Sequence, residues 1–200
     1  MNLRSYRNLF ITVTLVLVVV AASPVLAAVI SFPDGSEPFT ELWILDSGHT
    51  TENYPFNVSV GGVYKVFVDV ANRMGGPEFY LLQVKFCNVS QYVMEVGDSE
   101  PSSLESLYDF YFFLGDENVW ESGVTFGFQD VSFGEDTVAV GSVVVDGVVF
   151  PVDASALWDS EAGVFYFHLF FELWRYDTAL QGFQFDHRSV GVWVNMTAPL

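Results

Sequence analysis

From residue 39 onward, apolar and polar positions alternate in short runs broken by Gly, Pro, Asp and Asn, and no stretch sustains a helical period. The clearest run sets Tyr64, Val66, Val68 and Val70 against Lys65, Phe67 and Asp69. A second sets Tyr80, Leu82, Val84 and Phe86 against Gln83 and Lys85. With Gly75-Gly76 between them they predict a hairpin whose solvent face carries Lys65, Asp69, Gln83 and Lys85. Further strands are expected at residues 39–45, 107–114, 120–128, 138–145, 164–176 and 190–194. Pro55 restricts a strand at 56–60 to an edge. Asp146-Gly147 predicts a two-residue hairpin between 138–145 and 148–152. The strand at 164–176 is apolar on both faces through Phe165-Tyr166-Phe167-His168-Leu169-Phe170-Phe171, so it is expected to be central or covered. The polar stretch 90–105 reads as the longest loop, ending in at most one helical turn. Nine or ten short strands predict an all-β fold, an antiparallel β-sandwich of Ig-like type.

A different pattern precedes this body. Residues 9–30 form an uncharged apolar run interrupted only by Thr12, Thr14, Ser23 and Pro24, and preceded by Arg4 and Arg7. As a helix it would reach ~33 Å, enough to cross a bilayer, and the arginines would hold residues 1–8 in the cytoplasm. Val25-Leu26-Ala27 also forms a cleavage box, so a signal peptide cut near residue 27 is the rival reading. Both readings export the rest of the chain. Residues 31–38, with Pro33-Asp34-Gly35-Ser36-Glu37-Pro38, form a short stiff spacer, and residues 39–200 are expected as one extracytoplasmic β domain.

Charge narrows the partners. All 25 Asp and Glu lie beyond Pro33, against five basic residues, for a formal charge of −20. Such a body repels nucleic acid and anionic lipid, so nucleic-acid binding is excluded. Apolar residues make up 51% of the chain, which excludes disorder. Cys87 is the only cysteine; the fold has no intrachain disulfide, and Cys87 is expected as a buried hydrophobe.

Two stretches carry a family resemblance. Phe39-Thr40-Glu41-Leu42-Trp43-Ile44-Leu45 precedes Tyr54-Pro55-Phe56-Asn57-Val58-Ser59-Val60-Gly61. Later, Asp116-Glu117-Asn118-Val119-Trp120-Glu121 leads into Val124 to Phe128. Together, over roughly residues 25–130, they resemble the archaeal domain-of-unknown-function 1616 family of uncharacterised membrane proteins. In that family a span runs through a short Pro-containing spacer into such a strand, as Ile30-Ser31-Phe32-Pro33 does here. The resemblance implies an archaeal source, a retained anchor and an outward β domain, with no known activity or catalytic residues. The single span here departs from longer members.

Candidate sites are few. Asn57-Val58-Ser59, Asn88-Val89-Ser90 and Asn195-Met196-Thr197 are N-glycosylation sequons, so Asn57, Asn88 and Asn195 are the candidate modification sites. Strand alternation points Phe56, Val58 and Val60 inward and Asn57 and Asn195 outward. His49, His168 and His187 have no metal spacing, and structural roles are expected for them. The acidic turns at Asp116-Glu117, Glu135-Asp136 and Asp159-Ser160-Glu161 lack calcium-loop spacing, so solvated turns are expected. Glu41, Glu121 and Glu172 sit in aromatic strands and would make a hydrolytic pair only if two of them met across a cleft. Trp43, Trp174 and Trp193 are expected in sheet packing, with any exposed aromatics free to stack on sugars or a partner. No catalytic, metal or cofactor residues are assigned. The expectation is a non-catalytic, membrane-anchored surface module for binding or envelope structure, with a surface protein or glycan as partner. A carboxylate hydrolase and an accessory subunit of a membrane complex are the alternatives.

Overall fold

Ten strands and one short helix carry the alternation into two sheets. In chain order they are β1 Phe39–Leu45, β2 Asn57–Ser59, β3 Tyr64–Arg73, β4 Glu78–Asn88, α1 Val89–Glu95, β5 Tyr108–Leu114, β6 Val119–Phe133, β7 Thr137–Val145, β8 Val148–Leu157, β9 Tyr166–Asp177 and β10 Gly182–Thr197. The structure, a computed structural model, describes residues 37–95 and 100–198. The expected span at 9–30, the segment 1–8 and all but the end of the spacer lie outside the described residues. Among the described residues, no helix is long and apolar enough to cross a membrane.

One sheet runs β1-β3-β6-β7-β8 and the other β2-β10-β9-β4-β5. The pairings are antiparallel except β2 with β10, which is parallel, so the expectation of a purely antiparallel fold is corrected at that edge. Val66, Val68, Val70, Val124 and Phe126 from the first sheet share one core with Tyr80, Leu82, Phe167, Leu169 and Phe171 from the second. Phe86 meets Phe128 at 5.5 Å, and Trp120 stacks on Phe112 at 4.0 Å, each pair joining the two sheets. Burying each such side chain contributes about 1.5–3 kcal/mol, so packing alone can hold a fold without disulfides.

Local signals explain several elements. Asp146 (φ 48°) and Gly147 (φ 81°) make the expected two-residue turn, and Asp146 Oδ1 accepts from the Thr125 amide at 2.8 Å. Opposite Gly141 the edge strand β8 holds two residues, Val152 and Asp153, so the β7–β8 register shifts between Val140 and Ser142. Val138 and Val140 are buried in the core on one side of this shift, and Val143 and Val145 on the other. β9 is central in its sheet and buried on both faces from Phe167 to Leu173, as its composition predicted.

Other expectations are overturned. β3 and β4 do not form a hairpin: β3 pairs with β1 and β6, while β4 pairs with β5 and β9. The chain crosses from one sheet to the other at residues 74–77, and Asn72, fully buried, holds the crossing. Its Nδ2 donates to the carbonyls of Gly76 (2.8 Å) and Leu114 (2.9 Å). Its Oδ1 accepts from the Met74 amide (3.0 Å) and the Tyr80 hydroxyl (3.2 Å). Its backbone pairs with Asn118 O and Glu117 N. All four side-chain hydrogen-bonding positions are filled.

The solvent face expected for this pair is also wrong at two residues. Asp69 is 3% exposed and Lys85 is 2% exposed. Lys85 Nζ lies 2.8 Å from Glu172 and donates to Ser102 O at 2.9 Å, while the Ser102 amide donates to Glu172 Oε1 at 2.8 Å. The segment around Ser102 therefore covers the outer face of the second sheet, and the pair is a buried one. The expected loop at 90–105 opens with α1, not with coil. Asn88 and Gln91 make a reciprocal cap: Asn88 Oδ1 accepts from the Gln91 amide (2.8 Å), and Gln91 Oε1 accepts from the Asn88 amide (3.2 Å). Phe56, expected inward, is exposed, because β2 is only three residues long and starts after it.

Two stability outcomes follow from these buried polar groups. Asn72→Leu removes the partners of four groups at the crossing and should lower the unfolding free energy by roughly 3 kcal/mol or more in urea titration, with Asn72→Asp less damaging. Lys85→Met leaves Glu172 buried and unpaired and should cost about 3–5 kcal/mol, and adding Glu172→Leu should recover most of it.

Candidate functional site

The outer face of the second sheet is aromatic where a wet face is expected to be polar. The β4–β5 register sets Phe79 opposite Phe113 and Leu81 opposite Tyr111, and the β9–β10 hairpin sets Tyr176 opposite Phe183. Tyr80, Leu82 and Phe112 point to the core, so their neighbours Phe79, Tyr111 and Phe113 point away from it. Phe79 is the hub. It stacks on Phe113 at 4.3 Å and meets Phe183 at 5.2 Å, Tyr176 at 6.2 Å and Tyr111 at 6.4 Å. Phe113 is 78% exposed and Tyr111 57% exposed. Rings this accessible and this clustered form a contiguous apolar platform of the kind that marks binding surfaces.

A polar cleft of about 330 Å³ adjoins the platform and shares Tyr176 with it. Glu78, Arg175, Asp177, Gln184 and Asp186 supply its polar groups. Arg175 lies 3.5 Å from both Glu78 and Asp186. A two-residue bulge between Phe185 and Arg188 puts Asp186 beside Thr40 of the first sheet, with which it hydrogen-bonds. Arg188 Nε donates to the same Thr40 hydroxyl at 2.8 Å. The cleft thus sits on a rigid base that ties the sheets together at one end. Its carboxylates accept, its guanidinium donates and its amide does both, while the rings of the platform offer flat π-faces.

The expected carboxylates do not assemble as a pair. Glu172 is tied to Lys85 in the second sheet, whereas Glu41 and Glu121 lie on β1 and β6 of the first, with β3 between them. Glu121 instead stands opposite Asp69, a residue the sequence reading had put in solvent. Burial, then the charge of Glu121, pushes the Asp69 carboxyl up to about 6, and its Oδ2 has no hydrogen-bond partner. His49 stacks on Phe67 at 3.8 Å and reaches Glu121 at 3.4 Å, so this turn histidine joins the acidic pair.

His168 lies under α1 on the outer face of the second sheet, stacked on Trp193 at 4.3 Å, with Tyr92 edge-on at 4.4 Å. Burial alone pulls its imidazole down to about 4, and Nδ1 has no partner. Burial likewise pushes the Cys87 thiol up to about 12, in keeping with a packing role. Two of the acidic turns are tied to protein groups: Asp116 Oδ1 accepts from Gly75 N and Glu117 pairs with Arg73, while Asp159 Oδ1 accepts from the amides of Glu161 and Ala162. Among the described residues, no three His, Cys, Asp or Glu stand close enough together to hold a metal.

The sequons differ in what surrounds them. Asn57 is exposed, and Asn88 is half-buried, with its Nδ2 donating to Ser155 O at 2.7 Å. Asn195, expected to face outward freely, is only 8% exposed. The parallel β2–β10 register sets it beside Asn57, to whose Oδ1 its Nδ2 donates at 2.9 Å, and its Oδ1 accepts from the Phe165 amide.

No protein-family model matches the chain, and no curated protein matches it. Among solved structures, it is similar to the crystal structure of beta-glucosidase from Listeria innocua in complex with glucose, at 15% identity and a TM-score of 0.32. That similarity covers 58% of this chain and only 16% of the other, and at this TM-score it carries no argument.

The two shifted groups act on stability in opposite directions. His168 titrates below its ordinary 6.5, so the unfolded chain takes up the proton first. Its stabilising contribution is complete above pH 6.5 and shrinks by roughly 3 kcal/mol as pH falls toward 4. Asp69 titrates above its ordinary 3.8, so its contribution is complete below that value and is lost as pH rises through about 6. Urea midpoints measured from pH 4 to 8 should flatten on the acid side in His168→Phe and rise above pH 6 in Asp69→Asn.

Proposed function

We propose that this chain is a membrane-anchored, non-catalytic surface module that binds neutral glycan through the aromatic platform and the adjoining cleft. The single observation behind this reading is the accessible ring cluster around Phe79, with Tyr176 joining it to a polar cleft. Aromatic rings take the apolar faces of pyranose rings, and carboxylates and amides answer their hydroxyl groups. The formal charge of −20 beyond Pro33 argues against anionic polysaccharide. The apolar run at residues 9–30 behind Arg4 and Arg7 supports export and, if it is retained, a tether. The segments around Trp43, Tyr54-Pro55 and Trp120 support an archaeal source and kinship with the uncharacterised membrane family they resemble.

The order of the strands supports the Ig-like reading. β3 beside β6 matches the B–E pair of that fold, and β10-β9-β4-β5 matches G-F-C-C′. The departure is the β7–β8 hairpin, which follows β6 and extends the first sheet.

Full-length protein in mild detergent should be retained on beads of a neutral glucan or chitin and released by soluble oligosaccharide. Phe113→Ala and Gln184→Ala should each weaken retention by about 2–10-fold, the range expected for losing one stacking or polar contact. Equal retention of wild type and both variants, or no retention on any neutral polysaccharide, overturns the reading.

A further inference from the structure

The two sheets have four edges, and three of them are blunted. β2 is only three residues long. β8 carries Pro151, which has no N–H, and Asp153, and its register against β7 is broken. β1 contains Glu41 and is drawn toward β10 by the Thr40–Arg188 bond. β5 differs. Its seven residues, Tyr-Asp-Phe-Tyr-Phe-Phe-Leu, contain no proline and no basic residue, and they pair with β4 without a register shift. The one charge, Asp109, is held by Ser106 Oγ at 2.6 Å and the Tyr111 hydroxyl at 3.3 Å. Among the described residues, no strand lies beyond β5. An apolar edge left in this state is a template for another strand.

We infer that β5 is a dimerisation edge that pairs antiparallel with β5 of a second copy of this chain. Antiparallel self-pairing has two-fold symmetry, so the contact closes and does not propagate. Alignment of all seven residues puts the two-fold axis at Tyr111. Phe110 then faces Phe112 of the second copy, Tyr108 faces Leu114, and Asp109 faces Phe113 in place of another Asp109. The two core-facing rows and the two aromatic outer rows each continue across the junction, where cross-strand aromatic pairs stabilise the sheet. Charge favours this place of contact as well. Two bodies of −20 repel each other, and β5 brings a single acid to the junction. The inference is independent of what the platform binds.

Full-length protein in mild detergent should sediment as a dimer, and more tightly as salt is raised to about 0.5 M and screens the repulsion. With a mild oxidant, Tyr111→Cys should form an intermolecular disulfide, because residue 111 lies opposite itself. Val63→Cys, at a position more accessible still at 78% exposure, should not. The double variant Tyr111→Lys, Phe113→Lys alters only exposed side chains and should weaken the dimer at least about tenfold while keeping the wild-type circular dichroism. A monomer at every salt concentration overturns the inference. So does cross-linking of Val63→Cys as efficient as that of Tyr111→Cys, or a dimer unchanged in the lysine variant.

Discussion

The hydrogen bonds of Asn72 are the constraint on which the arrangement of the sheets depends. β3 ends in one sheet and β4 begins in the other, and β5 returns to β6 at the same end. Both crossings converge on this side chain, which holds the Gly76 carbonyl of one and the Leu114 carbonyl of the other. Irregular backbone at a buried crossing exposes donors and acceptors that no ladder can satisfy, and leaving each one unpaired costs about 1–3 kcal/mol. One amide with two donors and two acceptor sites answers three of them and the Tyr80 hydroxyl as well. The core residues can then face each other because the chain changes layers without an orphaned polar group.

The outer faces follow from the same economy of covering. On the second sheet, the segment around Ser102 and helix α1 lie over Lys85, Glu172 and His168, and the polar groups beneath are tied or stacked. That cover stops before the Phe79 cluster, which stays open to solvent. The contrast between a covered half and a bare aromatic half of one sheet gives the molecule its asymmetry. It also confines the buried ion pair and the stacked histidine to the covered half.

Much of the architecture was legible in the chain. Alternation located the strands, Asp146-Gly147 located its hairpin, and the two-sided apolar run of β9 gave its central position. Pairing was less legible. Tyr64 to Val70 and Tyr80 to Phe86 look like hairpin partners because they are adjacent and share a period, and nothing local says that Gly75-Gly76 passes between layers. The same gap hid the site. Nothing local singles out Phe79, Tyr111 and Phe113, and only the arrangement of strands shows that, among the described residues, Tyr111 and Phe113 are left exposed beside Phe79. The carboxylates Glu41, Glu121 and Glu172 were visible one by one, but their partners, Asp69 for Glu121 and Lys85 for Glu172, depend on which strands become neighbours. The capping exchange of Asn88 with Gln91 was present as a local spacing, and it was masked by the polar, turn-rich residues that follow.

The parallel seam between β2 and β10 joins a strand made early in synthesis to one made late. Asn57 and Asn195 are 138 residues apart, so the first must wait for a long stretch of chain to emerge before its neighbour exists. During that interval Asn57 Oδ1 lacks the Asn195 donor from which it accepts in the folded chain. Asn195 meets a waiting partner almost as soon as it appears, and its amide is then enclosed. The parallel edge of the second sheet is therefore completed only once the end of β10 has left the ribosome.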